Sequence, residues 1–232
     1  MRFFLKTANL FLLFLALLTL ASCSCGDREE RQAAARERQG FILANIVEEV
    51  PESEGARLYR EKTCNTCHGE NGINPLLPSY PVLAQQGEQY ALQQMLDIKS
   101  GARAAGQSSA MKPIVQGVTD EELAILAKFI STELGQGMAI GGGNPDPTSP
   151  GGKLFKSKTC TACHGKDGKT PILAEYPRIA GHGAEYAKMQ MLDIKSGARA
   201  NSMAVLGMKG IMHLVTEDEI GELAKYVASL PR

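Results

Sequence analysis

The chain has 232 residues and no tryptophan, and this length divides more naturally into two or three small modules than into one core. Its 25 basic and 25 acidic side chains balance, so the net charge gives no reason to expect a nucleic-acid partner. The charge is nevertheless uneven: residues 26–54 carry four basic against eight acidic side chains, and residues 153–232 carry twelve against eight. We therefore expect the acidic and basic ends to face different partners, or one partner in a preferred orientation.

The N-terminal segment, residues 1–22, is predicted to be a signal peptide. Positive charge lies near its start, and the uncharged run Leu10–Leu20 has the length of a secretory hydrophobic region but is short for a membrane span. The run ends in Leu20-Ala21-Ser22-Cys23, which resembles the lipobox of bacterial lipoproteins. That resemblance implies cleavage before Cys23 and lipid on this residue, and therefore an exported, periplasmic protein anchored to the membrane. A plain cleaved signal and an uncleaved membrane anchor are the alternatives.

A polar tether is predicted over residues 23–53. Its charged, alanine-containing part from Arg28 to Arg38 is typical of either a short helix or a disordered spacer. Cys25 also lies in the tether, and we assign it no role beyond a second acylation site or a free thiol near the membrane.

The rest of the chain is built from an internal repeat. The segment Lys62–Gly69, KTCNTCHG, returns 96 residues later as KTCTACHG, and Met95–Arg103 returns unchanged at the same offset. We therefore expect two copies of one domain, over residues 54–134 and 153–232. Between them, residues 135–152 hold seven glycines and three prolines without apolar periodicity, which predicts an exposed linker.

Each copy is predicted to be helical, because neither contains a convincing strand alternation. Amphipathic stretches closed by a glycine, and capping boxes at a threonine, mark the helices. The predicted helices cover residues 55–63, 88–100 and a stretch from Thr119 onward in the first copy, and 152–159, 184–196 and Thr216 to Leu230 in the second. The sequence therefore predicts an all-α protein of two tandem domains. A unit of about 80 residues is small for an unaided core, and a covalently bound cofactor would supply the missing apolar interior.

The motif that carries chemistry is Cys-X-X-Cys-His, the attachment signature of c-type haem. In the first copy the Cys64 and Cys67 thiols, three residues apart on a helical turn, can reach the two vinyl groups on one edge of a porphyrin. His68 then lies beneath the iron and can serve as its proximal ligand. The second copy supplies the same set as Cys160, Cys163 and His164. Two covalent haem c groups are therefore expected.

Other uses of these cysteines fit the pattern less well. The two pairs lie 96 residues apart, whereas a zinc site would need them about 15 to 20 residues apart. Local disulfides would not explain a histidine directly after each pair, and a thioredoxin-like motif would need an α/β pattern.

Methionine is the leading candidate for the sixth iron ligand, since a thioether favours ferrous iron and raises the potential. The sequence has four histidines, and the two that are not proximal both lie in the second copy. Met111 and Met208 each stand eight residues before the capping threonine of the last helix, so we assign them as ligands. Met95 and Met191 are also equivalent, but they lie within amphipathic helices, where a core role is expected.

Together these features resemble the dihaem cytochrome c4 family, in which two class I cytochrome c domains are joined by a linker. The segments that carry the resemblance are Cys64–Gly72, Tyr80–Gln86, Gln93–Arg103 and Met111, each with a counterpart in the second copy. The resemblance implies that each domain wraps around one haem. It also implies that the backbone carbonyls of Pro81 and Pro177 accept the ring N–H of the proximal histidine, which fixes the ring orientation.

Other polar residues receive less definite roles. Arg103 and Arg199 would lie near haem propionates or form surface salt bridges. His182 and His213 match glutamines of the first copy, so surface or hydrogen-bonding roles are expected for both.

Three functions are compatible with two such domains. The first is a membrane-tethered carrier that moves electrons from a quinol-oxidising complex or dehydrogenase to a terminal oxidase. The second is an electron-transfer subunit held by a dehydrogenase, such as a sulfide-oxidising flavoprotein. The third is an enzyme of the dihaem peroxidase or thiosulfate-oxidising type, which would need an open or unusually ligated haem. The paired methionines favour electron transfer over catalysis.

Overall fold

The computed structural model describes residues 29–37 and 52–232, and within these ranges all regular secondary structure is helical. The first range is one exposed helix, α1, over residues 29–37, so this part of the tether follows the helical alternative. It belongs to a different unit from residues 53–232. The predicted signal peptide, Cys23, Cys25 and the rest of the tether lie outside the described residues. In the described ranges, no helix combines the length and the apolar character that a membrane crossing requires.

Residues 53–232 contain the same five helices twice. The first domain consists of α2 (Glu54–Glu61), α3 (Cys64–His68), α4 (Glu88–Ser100), α5 (Ser108–Gln116) and α6 (Asp120–Thr132). The second domain consists of α7 (Pro150–Ser157), α8 (Cys160–His164), α9 (Ala184–Ser196), α10 (Met203–Met212) and α11 (Glu217–Ser229). In each domain the last helix packs against the first and third helices around one hydrophobic core.

Helix boundaries follow the local signals in the sequence. Thr119 and Thr216 form complete capping boxes. In each, the threonine hydroxyl accepts a hydrogen bond from the backbone N–H of the glutamate three residues later, and the side chain of that glutamate accepts one from the threonine N–H. Gly101 and Gly197 end α4 and α9 with φ of 90° and 85°, a left-handed conformation that favours glycine. These predicted starts and stops are confirmed.

A close crossing of the first and last helices shapes each domain. A Cβ atom on Gly55 would lie 2.3 Å from Cβ of Phe129 on α6, and one on Gly151 would lie 2.3 Å from the Glu222 carbonyl oxygen on α11. Only a residue without a side chain permits this approach. The crossing directs the chain into the cysteine motif that follows the first helix.

Some predicted boundaries were wrong. Helix α7 begins at Pro150, inside the predicted linker, because Ser149 caps it and proline is well tolerated at the first helical position. The linker is also not exposed throughout, since Ile140 is buried in the core of the first domain. Helices α5 and α10 were not predicted: both are short, and both contain residues that weaken a helical pattern, including Pro113.

Candidate haem sites

Each cysteine motif forms a single helical turn with a strained entry. Thr63 and Thr159, directly before the first cysteine, have φ of 60° and 59°, a left-handed conformation that non-glycine residues rarely adopt. The two cysteines of each motif are not joined in a local disulfide. The same unusual backbone in both domains presents the cysteines in the same way.

The histidine of each motif is held in one orientation by a proline carbonyl. Nδ1 of His68 lies 3.2 Å from the Pro81 carbonyl oxygen, and Nδ1 of His164 lies 3.1 Å from that of Pro177, the contact that the resemblance implied. Because a carbonyl only accepts, Nδ1 carries the proton and the Nε2 lone pair is left for a metal. Burial lowers the pKa of both histidines, with the carbonyl acting in the opposite direction, so both rings are neutral.

A deep apolar cavity lies beside each histidine, with a volume of about 330 Å³ in the first domain and 270 Å³ in the second. The structure brings every haem-contacting residue predicted for a domain to the wall of that domain's cavity. The walls include Cys64, Cys67, His68, Pro81 and Met111 in the first domain, and Cys160, Cys163, His164, Pro177 and Met208 in the second. Such a cleft fits a flat, largely apolar cofactor attached at one edge.

Met95 and Met191 also reach the cavity walls, but they are buried in the hydrophobic cores, as predicted. Met111 and Met208 come from α5 and α10, the helices that border the cavities. Two other methionines lie in α10: Met203 is 81% exposed, and Met212 lines the second cavity but is buried in the core, as Met191 is.

Four lysines that were not predicted as functional residues anchor the segments that directly follow α5 and α10. Lys99 Nζ donates to the Val118 carbonyl at 2.6 Å, and Lys195 Nζ donates to the Val215 carbonyl at 2.6 Å. Lys62 and Lys158 reinforce this from the other side with ion pairs, at 2.9 and 3.0 Å, to the capping-box glutamates. All four recur at the repeat offset, which is the sequence signal that could have found them. They fix where α5 and α10 end, and so where Met111 and Met208 stand.

Known proteins share this arrangement. The cytochrome c family model matches residues 52–133 and 148–231. The chain is 30% identical over 180 residues to cytochrome c4 of Azotobacter vinelandii, an alignment that covers 72% of this chain and 84% of that protein. The crystal structure of reduced recombinant cytochrome c4 from Pseudomonas stutzeri has a TM-score of 0.65 and 28% identity, covering 77% of this chain and all of that one. The chain belongs to the cytochrome c4 family.

As a member of this family, the protein is a dihaem cytochrome that carries two covalent haem c groups. It is an electron-transfer protein and not an enzyme. Another relative is the thiosulfate dehydrogenase electron acceptor of Stutzerimonas stutzeri, which is 27% identical over 192 residues, 77% of this chain and 87% of that protein.

In this cytochrome, residues of one domain complete the cavity of the other. Arg103 of the first domain donates to the Tyr186 hydroxyl and to Oε1 of Gln190 in the second, at 3.4 and 2.9 Å. The other amino group of Arg103 donates to Oε1 of Gln94 at 3.0 Å, within its own domain. Arg103, Tyr186 and Gln190 all line the first cavity.

The second cavity is completed in the reciprocal way. Arg199 donates to the Tyr90 hydroxyl and to Oε1 of Gln94 in the first domain, at 3.2 and 2.8 Å, and to its own Gln190 at 2.8 Å. Such exchange of identical contacts is typical of a two-fold interface. Arg103 and Arg199 are only 7% and 5% exposed, so the surface salt-bridge alternative is wrong. The two glutamines each accept from both arginines and connect the two cavities.

A second set of contacts joins the domains beside this cluster. The Gln86 side-chain amide pairs with the backbone of Arg178, donating to its carbonyl at 2.9 Å and accepting from its N–H at 2.8 Å. Nε2 of His182 lies 3.5 Å from the same amide nitrogen. Arg232 donates to the Ala84 carbonyl of the first domain at 2.8 Å. His182 is therefore a buried interface residue, so the surface alternative predicted for it was wrong and the hydrogen-bonding one agrees with the structure, whereas His213 is exposed.

Proposed function

We propose that this cytochrome carries electrons at the periplasmic face of a membrane, from a quinol-oxidising complex or dehydrogenase to a terminal oxidase. The observation that carries the proposal is the interface cluster: side chains of each domain line the haem cavity of the other, so the two sites form one continuous path. A dihaem protein built in this way suits passage of electrons through the molecule.

Within each site, we assign the iron ligands to the histidine of the motif and the methionine of the following short helix. They are His68 with Met111 and His164 with Met208. The cysteines would hold the porphyrin edge as thioethers, and the haem supplies the iron that accepts and releases one electron. The protein's own contribution is to hold both axial groups in fixed places and to keep the iron surroundings apolar, which favours the ferrous state.

An orphaned donor supports this fit. Nε of Arg103 is buried at the first cavity and has no hydrogen-bond partner within residues 29–37 and 52–232. A haem propionate carboxylate would provide one, because the guanidinium group can donate to a carboxylate along two parallel directions. Arg199 occupies the equivalent place at the second cavity, so we assign both arginines to the propionate ends of the haems.

A second candidate is a subunit that accepts electrons directly from a dehydrogenase. The relative named as a thiosulfate dehydrogenase electron acceptor favours this version. A dehydrogenase that co-purifies with the tagged protein at a fixed ratio would favour the subunit, and purification as a monomer would favour the carrier.

The N-terminal sequence suggests how the protein stays near the membrane. Processing before Cys23 and acylation of that residue would place both haem domains on a tether at the bilayer surface. Mass spectrometry of the mature N-terminal peptide tests this, and a Cys23→Ser variant released into the soluble periplasmic fraction would agree with it.

The experiment that tests the ligand assignment is a redox-titrated optical spectrum of the purified protein with haem counted against protein. Two covalent haems per chain, both with the far-red band of methionine-bound ferric haem and with high potentials, are expected. A high-spin or low-potential haem would contradict the assignment of Met111 or Met208.

A further inference from the structure

The outer face of α10 carries large apolar side chains that the first domain lacks. Met203, Leu206 and Leu214 are 81%, 46% and 69% exposed. Their spacing along α10 and the residues that follow places them on one side, with Gly210 between them. The matching residues of the first domain are Gly106, Ser109 and Gly117. This α10 stripe, defined as Met203, Leu206 and Leu214, is thus a feature of the second domain alone.

The α10 stripe borders the second haem cavity. The neighbouring face of α10, which includes Gly207 and Met208, lines that cavity. At the other end, the Leu214 carbonyl accepts from Lys158 Nζ at 2.6 Å, and Lys158 lies two residues before Cys160. A molecule seated on the stripe would therefore lie beside the haem of the second domain, where the distance for electron transfer is short.

Two lysines follow the haem-attachment motif of the second domain. Lys166 and Lys169, in the loop after His164, are exposed, whereas the first domain has Glu70 and Ile73 at these positions. Asp167 between the lysines accepts two backbone hydrogen bonds from its own loop, at 3.0 and 2.9 Å, which holds its carboxylate in that turn. Along α10 itself the one charged side chain is Lys209. The second domain therefore combines the α10 stripe with two exposed lysines after its haem motif, and the first domain has neither at the matching positions, although Lys112 on α5 is the counterpart of Lys209.

We propose that the α10 stripe and its lysines are the docking face for a redox protein whose own contact surface has an apolar centre and an acidic rim. The inference rests on the proposed function and adds which haem serves this partner. Apolar contact at the centre would exclude water beside the haem, and the opposite charges would orient the encounter and speed it. The first domain, with small or polar residues at the stripe positions and Glu70 in place of Lys166, would not take the same partner.

Stopped-flow electron exchange between the reduced holoprotein and plastocyanin, an acidic blue-copper protein, tests this. Leu206→Ser and Lys166→Glu each install the residue of the first domain at an exposed position. Each is expected to lower the second-order rate constant about three- to tenfold at low salt. The Lys166→Glu effect should shrink at high salt, because screening weakens the attraction that the substitution removes. Leu76→Ser, an equivalent loss of exposed apolar surface in the first domain, should leave the rate unchanged.

The controls distinguish failure of the proposed docking face from failure of the proposed carrier function. Haem content and the rate of oxidation by ferricyanide at high salt, where the charge of this anion is screened, report on the haems themselves, and both should be equal in all variants. A wild-type protein that neither ferricyanide nor plastocyanin oxidises would refute the carrier function. A wild type that reacts with ferricyanide only, or variants that match wild type with plastocyanin, would refute the docking face alone.

Two other occupants would also overturn the proposal. A dimer in sedimentation velocity that Leu206→Ser dissociates would identify a second copy of this chain on the stripe. Co-sedimentation with phosphatidylcholine vesicles that the same variant abolishes would identify a lipid surface.

Discussion

Asn201 of the second domain donates its side-chain amide to Oδ2 of Asp97 in the first domain. The reciprocal contact is missing, because Ala105 occupies the position that matches Asn201, and Oδ2 of Asp193 has no partner within the described parts of the chain. A Cβ atom on the adjoining Gly106 would lie 3.1 Å from that same oxygen, so the first-domain loop already reaches the carboxylate. The arginine contacts across the interface are therefore reciprocal, whereas the asparagine contact to Asp97 has no counterpart at Asp193.

Ala105→Asn is therefore expected to stabilise the protein by about 1 kcal/mol, since a buried acceptor gains a donor. For a chain of this size the melting temperature should rise by about 2–4 °C, measured by calorimetry on the holoprotein. Ala105→Leu has a similar size without a donor and should give no such gain. An asparagine variant that melts no higher than the leucine variant would show that the loop cannot complete the contact.

Acid should destabilise the interface through His182. Its ring is buried against Tyr186, with ring centroids 4.9 Å apart, and burial holds its pKa well below the usual value, with the charges of Arg232 and Arg103 acting in the same direction. The unfolded chain binds a proton on this residue near pH 6.5, whereas the folded protein does not. Stability from His182 is therefore complete above about pH 6.5 and is lost as the pH falls below it.

His182→Gln, which copies Gln86 of the first domain, should remove this dependence. Between pH 7 and pH 5, wild type should lose about 2 kcal/mol more unfolding free energy than the variant, measured by urea titration. The control is His213→Gln, which copies Gln116 at an exposed position and should behave as wild type. Parallel losses in wild type and His182→Gln would mean that the interface gives water access to this ring.

The haem motifs, capping boxes and closing glycines could be predicted because each depends on residues within a few positions of one another. The burial of Arg103 and His182 could not, because it depends on how two domains face each other, and a repeat pattern does not encode that. Identical polar residues in both copies, such as Gln94 and Gln190, were a signal, since an exposed glutamine has little reason to recur. Helices α5 and α10 escaped prediction because tertiary contacts, including those of Lys99 and Lys195, outweigh weak local propensity.

Removal of the Tyr59 hydroxyl should weaken the first domain. This group donates to the Gly69 carbonyl at 2.9 Å, which joins α2 to the residue after the proximal histidine, and its matching residue in the second domain is Phe155. Tyr59→Phe should cost about 1 kcal/mol in unfolding free energy, because the bond is lost while the ring still packs against Phe129.

A matched control for that change lies in the second domain. The Tyr226 ring packs against Phe155 with centroids 5.4 Å apart, and its hydroxyl has no hydrogen bond to the described protein residues. Tyr226→Phe should therefore leave the unfolding free energy within about 0.5 kcal/mol of wild type. Equal losses from both substitutions would indicate that ring polarity, and not the bond to Gly69, is what matters.

Met111→His should lower the potential of one haem by about 0.1 V or more and leave the other nearly unchanged, because imidazole favours ferric iron over the ferrous form that a thioether prefers. The measurement is a spectroelectrochemical titration, with the far-red band expected to fall by half.

Met95→Leu is the control, since Met95 also lines the first cavity but is buried in the core, where leucine of similar volume is tolerated. That variant should keep both bands and both potentials. Loss of a far-red band in Met95→Leu, with Met111→His unchanged, would transfer the ligand role to α4. A shift of both potentials by equal amounts in Met111→His would instead show that the two haems do not titrate independently, so that the arginine and glutamine cluster between the cavities transmits the change.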